Sequence, residues 1–164
     1  RYPKGIPLEV NKLFDANTFL DACHHIPKKI ALSSRSIVGS MALALRSLKR
    51  KFFKLPNVFS YEEYVQFMCN RSLEENELPL VIPNFDTSAR CGQAATVLHN
   101  SNPELFRVHV QDAIEKTNSI SDHEHRIIFL QAWNEWAEGN HLEPDQKYGL
   151  AYLEAIYDNI VNQH

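Results

Sequence analysis

The stretch RIIFLQAWNEWAEGNHLEPD, residues 126–145, joins an apolar strand to a dense polar cluster. Its start, RIIFL, lacks the alternation of a half-exposed strand and is typical of a parallel strand that is covered on both faces. Residues 134–145 then contain four carboxylates, a histidine and a tryptophan. Because parallel sheets carry their active sites at the carboxyl ends of strands, the stretch predicts a functional site.

A second strand with a polar loop lies upstream. LPLVI, residues 78–82, is a compact apolar run that ends at Pro83, because proline cannot donate to a sheet ladder. The polar loop NFDTSAR, residues 84–90, follows it. A helix predicted over residues 103–118 connects this strand to the strand at 126–133, which makes one right-handed βαβ unit with parallel strands. Both polar loops are therefore expected at one crevice.

The connecting helix and the closing helix are predicted from apolar periodicity. Ser101 and Glu104 flank Pro103 at the start of the connecting helix. Its expected buried face consists of Leu105, Phe106, His109, Val110, Ala113 and Ile114. The expected buried stripe of the closing helix consists of Leu150, Leu153, Tyr157 and Ile160.

Capping signals predict two further helices nearer the start of the chain. Ser60 and Glu63 have the spacing of a capping box, which predicts a helix from there to about residue 70. Asp15 is a candidate N-cap for a short helix over residues 15–23.

The composition is that of a globular chain. The 164 residues are 44% hydrophobic, which supports the core of one ordinary domain, so we take residues 1–164 as a single domain fragment. A formal charge of -3 excludes a global field that would attract nucleic acid. Three widely spaced cysteines without CxxC pairing argue against a disulfide framework. Since the sequence has no signal peptide and no apolar run near the roughly 18 residues of a membrane span, we expect a cytoplasmic protein.

The polar cluster contains the groups that glycoside chemistry uses. If the chain turns helically beyond the strand, Glu135 and Glu138 lie about 5–6 Å apart at Cβ, near the roughly 5–5.5 Å carboxylate separation of retaining glycosidases. One carboxyl group of such a pair can stay protonated while the other is ionised. Trp133 and Trp136 offer flat apolar faces to a sugar ring, and Asn134 offers hydroxyls a donor and an acceptor.

A long and specific family resemblance is carried by AWNEWAEGNHLEPD, residues 132–145, and YGLAYLEAI, residues 148–156. Both resemble the closing segment of the WbsX-type polysaccharide-biosynthesis proteins, which have a glycoside hydrolase family 99-like domain. VIPNFDTSAR, residues 81–90, resembles that family's penultimate strand and loop, although the family usually has Trp-Asp-Asn where this chain has Phe-Asp-Thr. The resemblance covers residues 60–160, and residues 1–59 are left as a helical segment of uncertain assignment.

This resemblance implies an α/β fold that is the C-terminal portion of a (β/α)8 TIM-type barrel. The chain would supply the last two strands and their helices plus a helical N-terminal segment. The N-terminal half of the barrel would be missing from it.

The resemblance also implies a mechanism. In the related endo-α-mannosidases the two glutamates of this motif are catalytic, which assigns Glu135 as the base that deprotonates the sugar 2-hydroxyl and Glu138 as the acid/base. The implied reaction is retaining and uses neither a metal nor a cofactor. The implied substrate-binding residues are Trp133, Asn134, Trp136, Asp86, Arg90 and His141. The chain departs from the mannosidases at Ala137, Asn140 and His141, so their substrate is not implied.

The expected function is that of a carbohydrate-active protein of surface polysaccharide biosynthesis, such as lipopolysaccharide O-antigen or capsule. Its partner would be a glycan or a lipid-linked saccharide. Hydrolase and glycosyltransferase are both open, since the transferase label of the WbsX group rests largely on genetic context. The alternative is a non-catalytic carbohydrate-binding or scaffolding fragment of a polysaccharide assembly complex.

Some candidate residues also fit other roles. The two glutamates would suit a solvated turn, and Trp133 and Trp136 would suit the top of a barrel core. Asp86 with Arg90 would suit a structural ion pair. Three alternating side chains would suit a metal site only in an extended segment, where they share one face: His141, Glu143 and Asp145.

Residues 37–54, IVGSMALALRSLKRKFFK, carry an apolar stripe beside a basic cluster. Such a helix can bind peripherally to an anionic membrane. The interpretation that we favour is a barrel-covering helix whose C-terminal end is stabilised by cations. Pelleting with acidic liposomes distinguishes the two, since the membrane interpretation requires that replacing the basic cluster abolishes binding.

Overall fold

A computed structural model describes residues 55–74, 77–121 and 123–161, together with Leu48 and the backbone at 17–18. The helices of this part are α1 (Tyr61–Cys69), α2 (Ser88–Cys91), α3 (Pro103–Asn118) and α4 (Ala151–Val161). The strands are β1 (Asn17–Thr18), β2 (Asn57–Ser60), β3 (Glu77–Leu78), β4 (Leu80–Val81), β5 (Phe85–Asp86), β6 (Thr96–His99), β7 (Phe129–Leu130), β8 (Asn134–Glu135) and β9 (Asn140–His141).

The predicted βαβ unit is present. Strands β4 and β7 pair in parallel, and helix α3 lies between them in the sequence. The Phe129 N–H donates to the Pro79 carbonyl at 2.9 Å, and the Gln131 N–H donates to the Val81 carbonyl at 3.0 Å. The prediction of adjacent parallel strands within 78–82 and 126–133 is therefore confirmed, although both strands are short.

Strand β1 corrects one prediction. Asn17 and Thr18 pair in parallel with Glu77 and Leu78 of β3, so the helix predicted over residues 15–23 is wrong at these two positions. Pairing with the buried β3 outweighs a local helix-cap signal, as tertiary contacts often do for short segments. The rest of that predicted helix lies outside the described residues.

A second small sheet was not predicted. It has the strand order β2-β6-β5, in which β6 runs parallel to β2 and antiparallel to β5. The molecule is thus mixed α/β. In the part of the chain that the structure describes, the small sheets do not close into a barrel.

Helix α1 begins where the capping pattern predicts. The Ser60 hydroxyl accepts a hydrogen bond from the Glu63 N–H at 3.4 Å, and the helix continues to Cys69. The buried Tyr61 hydroxyl donates to the Ile82 carbonyl at 2.6 Å, which connects α1 to the end of β4. The first core cluster, around this bond, contains Tyr61, Tyr64, Val65, Met68, Leu80, Ile82 and Phe85.

Helix α3 has the predicted bounds, and Asn102 is its N-cap. Asn102, and not Ser101, accepts the hydrogen bond from the Leu105 N–H, at 2.9 Å. The Ser101 hydroxyl instead donates to the Leu98 carbonyl. The residues that form the predicted face of α3 are buried or half-buried. The second core cluster contains Val81, Phe106, Val110, Ala113, Ile114, Leu142, Tyr152 and Ala155.

Helix α4 is present but buries a different stripe from the predicted one. Tyr152 and Ala155 are the buried residues, whereas Leu150, Tyr157 and Ile160 are more than half exposed. Apolar residues occupy two faces of this helix, so periodicity alone does not select one. The small Ala155 side chain lets α4 approach α3 closely, which favours the face that packs.

Strand β7 is covered on one face only within the described residues. Ile128 and Leu130 pack against the second core cluster, while Ile127 and Phe129 are each 45% exposed. The prediction that this strand is covered on both faces is therefore wrong for the described part of the chain.

The predicted membrane-binding segment lies almost entirely outside the described residues. Of residues 37–54, only Leu48 is described, and it is helical and exposed. The other residues of that prediction lie outside the described part. No helix among the described residues has both the length and the apolar character that a membrane crossing requires.

His109 is a titratable group in the core. Its side chain is 1% exposed and meets the Tyr64 ring edge-on, with 5.4 Å between ring centroids. Burial, together with the nearby positive charge of Lys116, lowers the pKa of His109 to about 3. The folded protein therefore keeps this imidazole neutral under conditions in which the unfolded chain would protonate it.

The stability of the fold should fall in acid because of His109. Its folded pKa lies below its unfolded value of 6.5, so its contribution is complete above pH 6.5 and is lost as the pH falls towards 3. The loss has a limiting slope of about 1.4 kcal/mol per pH unit. Denaturant unfolding from pH 7 to pH 4 should show a shallower pH dependence in His109→Leu. His123→Gln, at an exposed site, is the control, and equal slopes in wild type and His109→Leu would contradict the assignment.

Candidate functional site

The predicted glutamate pair lies on a β-hairpin. Strands β8 and β9 pair antiparallel, and a 3-10 turn over Trp136–Glu138 connects them. Gly139 ends this turn in the left-handed region, at φ +50°, and its N–H donates to the Trp136 carbonyl at 3.0 Å. The chain therefore does turn helically after Glu135, which is the condition on which the expected carboxylate spacing depended, but it does so within a hairpin that the sequence did not predict.

Asn140 attaches the hairpin to the end of β7. Its side chain is fully buried, and its Oδ1 accepts a hydrogen bond from the Ala132 N–H at 2.8 Å. The next residue but one, Leu142, is buried in the second core cluster. The Leu142 N–H also donates to the Trp133 carbonyl at 2.9 Å. The base of the hairpin is thus fixed to the strand and to the core, which leaves its tip facing outward.

Asn84 joins the hairpin to the loop that follows β4. Its amide donates to the His141 carbonyl at 3.1 Å and accepts from the His141 N–H at 2.8 Å. One side chain therefore forms a two-way bond to the backbone of a residue 57 positions away. This bond brings the two predicted polar loops together at one site.

Gly139 packs directly against the same loop. A Cβ at this position would lie 3.0 Å from the Asp86 Cβ and 3.2 Å from the Asp86 N and O atoms. Any side chain here would therefore meet backbone as well as a left-handed φ. The close approach of the two loops requires glycine.

Arg90 forms a third connection between the loops. Its Nη1 lies 2.7 Å from Glu138 Oε1. The Glu138 side chain is 25% exposed, and that of Arg90 is 57% exposed. The alternative of an Asp86–Arg90 ion pair is wrong, because Arg90 pairs with Glu138. Asp86 Oδ1 accepts from the Ser88 N–H at 2.8 Å. Arg90 thus sets the direction of one of the two candidate catalytic carboxylates.

Trp136 stacks on His141. Their ring centroids are 3.7 Å apart and their planes differ by 14°. The indole N–H donates to Glu143 Oε2 at 2.7 Å. His141 Nε2 lies 3.2 Å from Asp145 Oδ2, and both of these side chains are mostly buried. These contacts connect four side chains of the polar cluster: Trp136, His141, Glu143 and Asp145.

Asp145 is held by several donors. The N–H groups of Lys147 and Tyr148 donate to its Oδ1 at 2.8 and 2.6 Å. Partial burial on its own would raise the pKa of Asp145, but the bonds from Tyr148, His141 and Lys147 together lower it. Asp145 therefore remains an ionised acceptor for His141 at neutral pH.

The remaining candidate residues lie at the outer side of the hairpin. Glu135 and Asn134 are exposed, and Trp133 and Trp136 are each 50% exposed among the described residues. Asp86 is exposed on the neighbouring loop. The three residues of the metal alternative contact other side chains instead. Glu143 accepts from the Trp136 indole, and His141 contacts Asp145. Among the described residues, no three His, Cys, Asp or Glu side chains are grouped closely enough to hold a metal ion.

The sequence prediction left out the residues that fix this site. Only Gly139 among them carried a recognisable signal, because glycine commonly follows the last residue of a helical turn. Asn84 had no such signal, since an asparagine in a polar loop is equally consistent with a solvated turn. The roles of Glu143 and Asp145 depend on the hairpin and could not be derived from their spacing.

A known protein family matches the part of the chain that contains this hairpin. The model of the family described as Glycosyltransferase WbsX matches residues 8–156, which include both loops of the site. The chain belongs to this family. The match begins well before residue 60, so it also includes most of the segment that the sequence resemblance left unassigned.

Two curated relatives come from strains of Xanthomonas campestris pv. campestris, and both are named WxcX. This chain is 33% identical to the protein of strain B100 over 100 residues, which are 60% of this chain and 14% of that protein. It is 32% identical to the second protein over a segment of the same length. The aligned segment is thus a small part of the relatives that the chain matches. No solved structure matches the chain.

The close approach at Gly139 makes a specific stability prediction. Gly139→Ala should lower the free energy of unfolding by about 1–2 kcal/mol for the left-handed φ and by about 1–3 kcal/mol more for the contact with Asp86. Gly149→Ala is the matched control, because Gly149 has φ +55° and open space around its missing Cβ. Equal losses in the two variants, measured by denaturant unfolding, would show that the loops are not tightly packed here.

Proposed function

We propose that this chain carries the catalytic loops of a carbohydrate-active protein in surface polysaccharide biosynthesis, which cleaves or transfers glycosidic bonds through Glu135 and Glu138. The substrate would be a glycan or a lipid-linked saccharide. Membership of the WbsX glycosyltransferase family supports the carbohydrate chemistry and the link to polysaccharide synthesis. The mechanism and the substrate are our proposals.

The observation that carries the proposal is the position of the two glutamates on one turn. Glu135 directly precedes the 3-10 turn and Glu138 closes it. Both carboxylates therefore extend from the same short turn, three positions apart. The ion pair from Arg90 places Glu138 beside the loop of the neighbouring parallel strand, where α/β proteins bind their ligands.

The proposed reaction has two steps. In the first, Glu135 accepts the proton of the sugar 2-hydroxyl, and O2 attacks C1 to form a 1,2-anhydro sugar. Glu138, in its protonated form and released from the ion pair with Arg90, donates its proton to the departing glycosidic oxygen in the same step. In the second, Glu138 deprotonates a water or an acceptor hydroxyl that opens the anhydro ring at C1, and Glu135 returns its proton to O2. Water as acceptor gives hydrolysis, and a sugar hydroxyl gives transfer.

The other residues of the site have properties that suit sugar binding. Trp133 and Trp136 keep half of their surface accessible, which suits stacking on the apolar face of a sugar. The guanidinium of Arg90 has further N–H groups beyond the one that contacts Glu138. Asp86, Asn134 and His141 complete the proposed substrate-binding set.

We further propose that the fold is the closing part of a glycoside hydrolase family 99-like (β/α)8 barrel. The parallel pairing of β4 with β7 across helix α3 supports this proposal. So does the position of both polar loops after these strands. The exposed face of Ile127 and Phe129 is where further barrel residues would pack.

A non-catalytic carbohydrate-binding function is the second candidate. It is favoured by the exposure of Glu135 and of both indoles, since an open aromatic surface is sufficient for binding. Turnover distinguishes the candidates, because a binding module has none.

Replacement of each glutamate by glutamine tests the catalytic proposal. Glu135→Gln and Glu138→Gln keep the side-chain shape but remove proton transfer, so each should lower kcat at least about 10²-fold in the polypeptide that carries this chain. Glycan binding should stay within a few-fold. The measurement is the release or transfer of sugar from a lipid-linked saccharide that the wild type processes.

Glu154→Gln, which changes an exposed glutamate on α4, is the matched control and should keep the wild-type rate. If Glu135→Gln and Glu138→Gln also keep that rate, the pair is structural and the proposed mechanism is wrong. If no glycan is turned over but binding persists, the second candidate replaces the first.

A further inference from the structure

Only one face of the Trp136 ring is covered by His141. The imidazole lies parallel to the indole at 3.7 Å between centroids, yet the tryptophan remains 50% exposed. The exposed area therefore belongs mainly to the opposite face and to the ring edge. The Trp136 indole therefore presents one open, flat, apolar face.

Glu143 fixes the rotation of this ring. The indole N–H has one donor direction, in the ring plane, and it points to Glu143 Oε2 at 2.7 Å. A charge-assisted bond of this kind is stronger than one between neutral groups. Since the stack restricts tilt and the N–H bond restricts rotation within the plane, the two contacts together define the orientation of the indole.

Asp145 fixes the other ring of the stack. It accepts from two backbone N–H groups and binds His141 Nε2 at 3.2 Å. The backbone of His141 is held by Asn84 at the same time. The imidazole is therefore a supported base for the indole, and neither ring needs to be ordered by a ligand.

We propose that Glu143 and Asp145 are positioning residues that hold Trp136 as a preformed, one-faced platform for the apolar face of a pyranose ring. The proposal rests on the proposed carbohydrate function and extends it to two residues outside the substrate-binding set. A preformed platform avoids the entropy loss of ordering a large side chain when the sugar binds. An indole with a merely structural role would instead be expected to bury both faces.

Fluorescence of Trp136 tests the platform directly. The chain has two tryptophans, so Trp133→Phe leaves Trp136 as the single indole reporter. In this background Glu143→Gln keeps a hydrogen-bond acceptor and Glu143→Leu removes it. Asp145→Asn and Asp145→Leu form the corresponding pair, and Glu154→Leu controls for loss of an exposed carboxylate.

The readout is acrylamide quenching of Trp136. Both leucine variants should increase the quenching, because each removes a contact that holds the Trp136–His141 stack in place. Glu143→Gln should match the background protein, since it keeps an acceptor for the indole N–H. Glu154→Leu should also match the background protein.

Binding of neutral methyl pyranosides provides the ligand readout. The sugars that bind should change Trp136 emission. Glu143→Leu should lower their binding affinity by roughly 2- to 12-fold, because the sugar must then order one large side chain as it binds. Glu143→Gln should restore the affinity. Unchanged quenching in both leucine variants, or no effect of any pyranoside on Trp136 emission, would overturn the proposal. Loss of turnover in the glutamate pair leaves these readouts intact, so the two proposals fail separately.

Discussion

The two-way hydrogen bond between the Asn84 amide and the backbone of His141 is the contact on which the site depends. Parallel pairing of β4 with β7 brings the two strand ends near each other, but it does not set the distance between the loops beyond them. Asn84 satisfies both polar groups of one hairpin residue, so the loops are joined in a defined register. The approach of Gly139 to Asp86 and the ion pair of Arg90 with Glu138 both require that register.

The hairpin itself combines a fixed base with an open tip. Its base is fixed by the buried Asn140, which binds the end of β7, and by Leu142 in the core. Its tip exposes Glu135 and half of Trp136. Rigid support beneath accessible side chains is the arrangement that ligand sites need, because each contact is positioned before the ligand arrives. It also explains much of the negative charge that follows β7, because Glu138, Glu143 and Asp145 each accept from a particular donor.

Local sequence signals predicted the elements that local physics determines. Apolar periodicity predicted the bounds of α3, and Ser60 predicted the start of α1. Compact apolar runs predicted the parallel strands. The placement of both polar loops at one site followed from the parallel direction of the two strands, whose carboxyl ends lie at the same edge. The contacts within the site did not, because Asn84, Gly139 and Glu143 act on residues that the hairpin brings near. Packing also decides which of the two apolar stripes on α4 is buried and that β1 pairs with β3. The spacing of apolar residues in the sequence does not contain this information.

Amide hydrogen exchange at His141 tests the central contact most directly. Its N–H donates to the Asn84 side chain, whereas the Phe129 and Gln131 N–H groups donate to the backbone before and within β4. Replacement of Asn84 by leucine should therefore increase exchange at His141 and leave exchange at Phe129 and Gln131 near the wild-type rate. If His141 keeps its protection in this variant, the side chain of Asn84 does not join the two loops, and our account of the site is wrong.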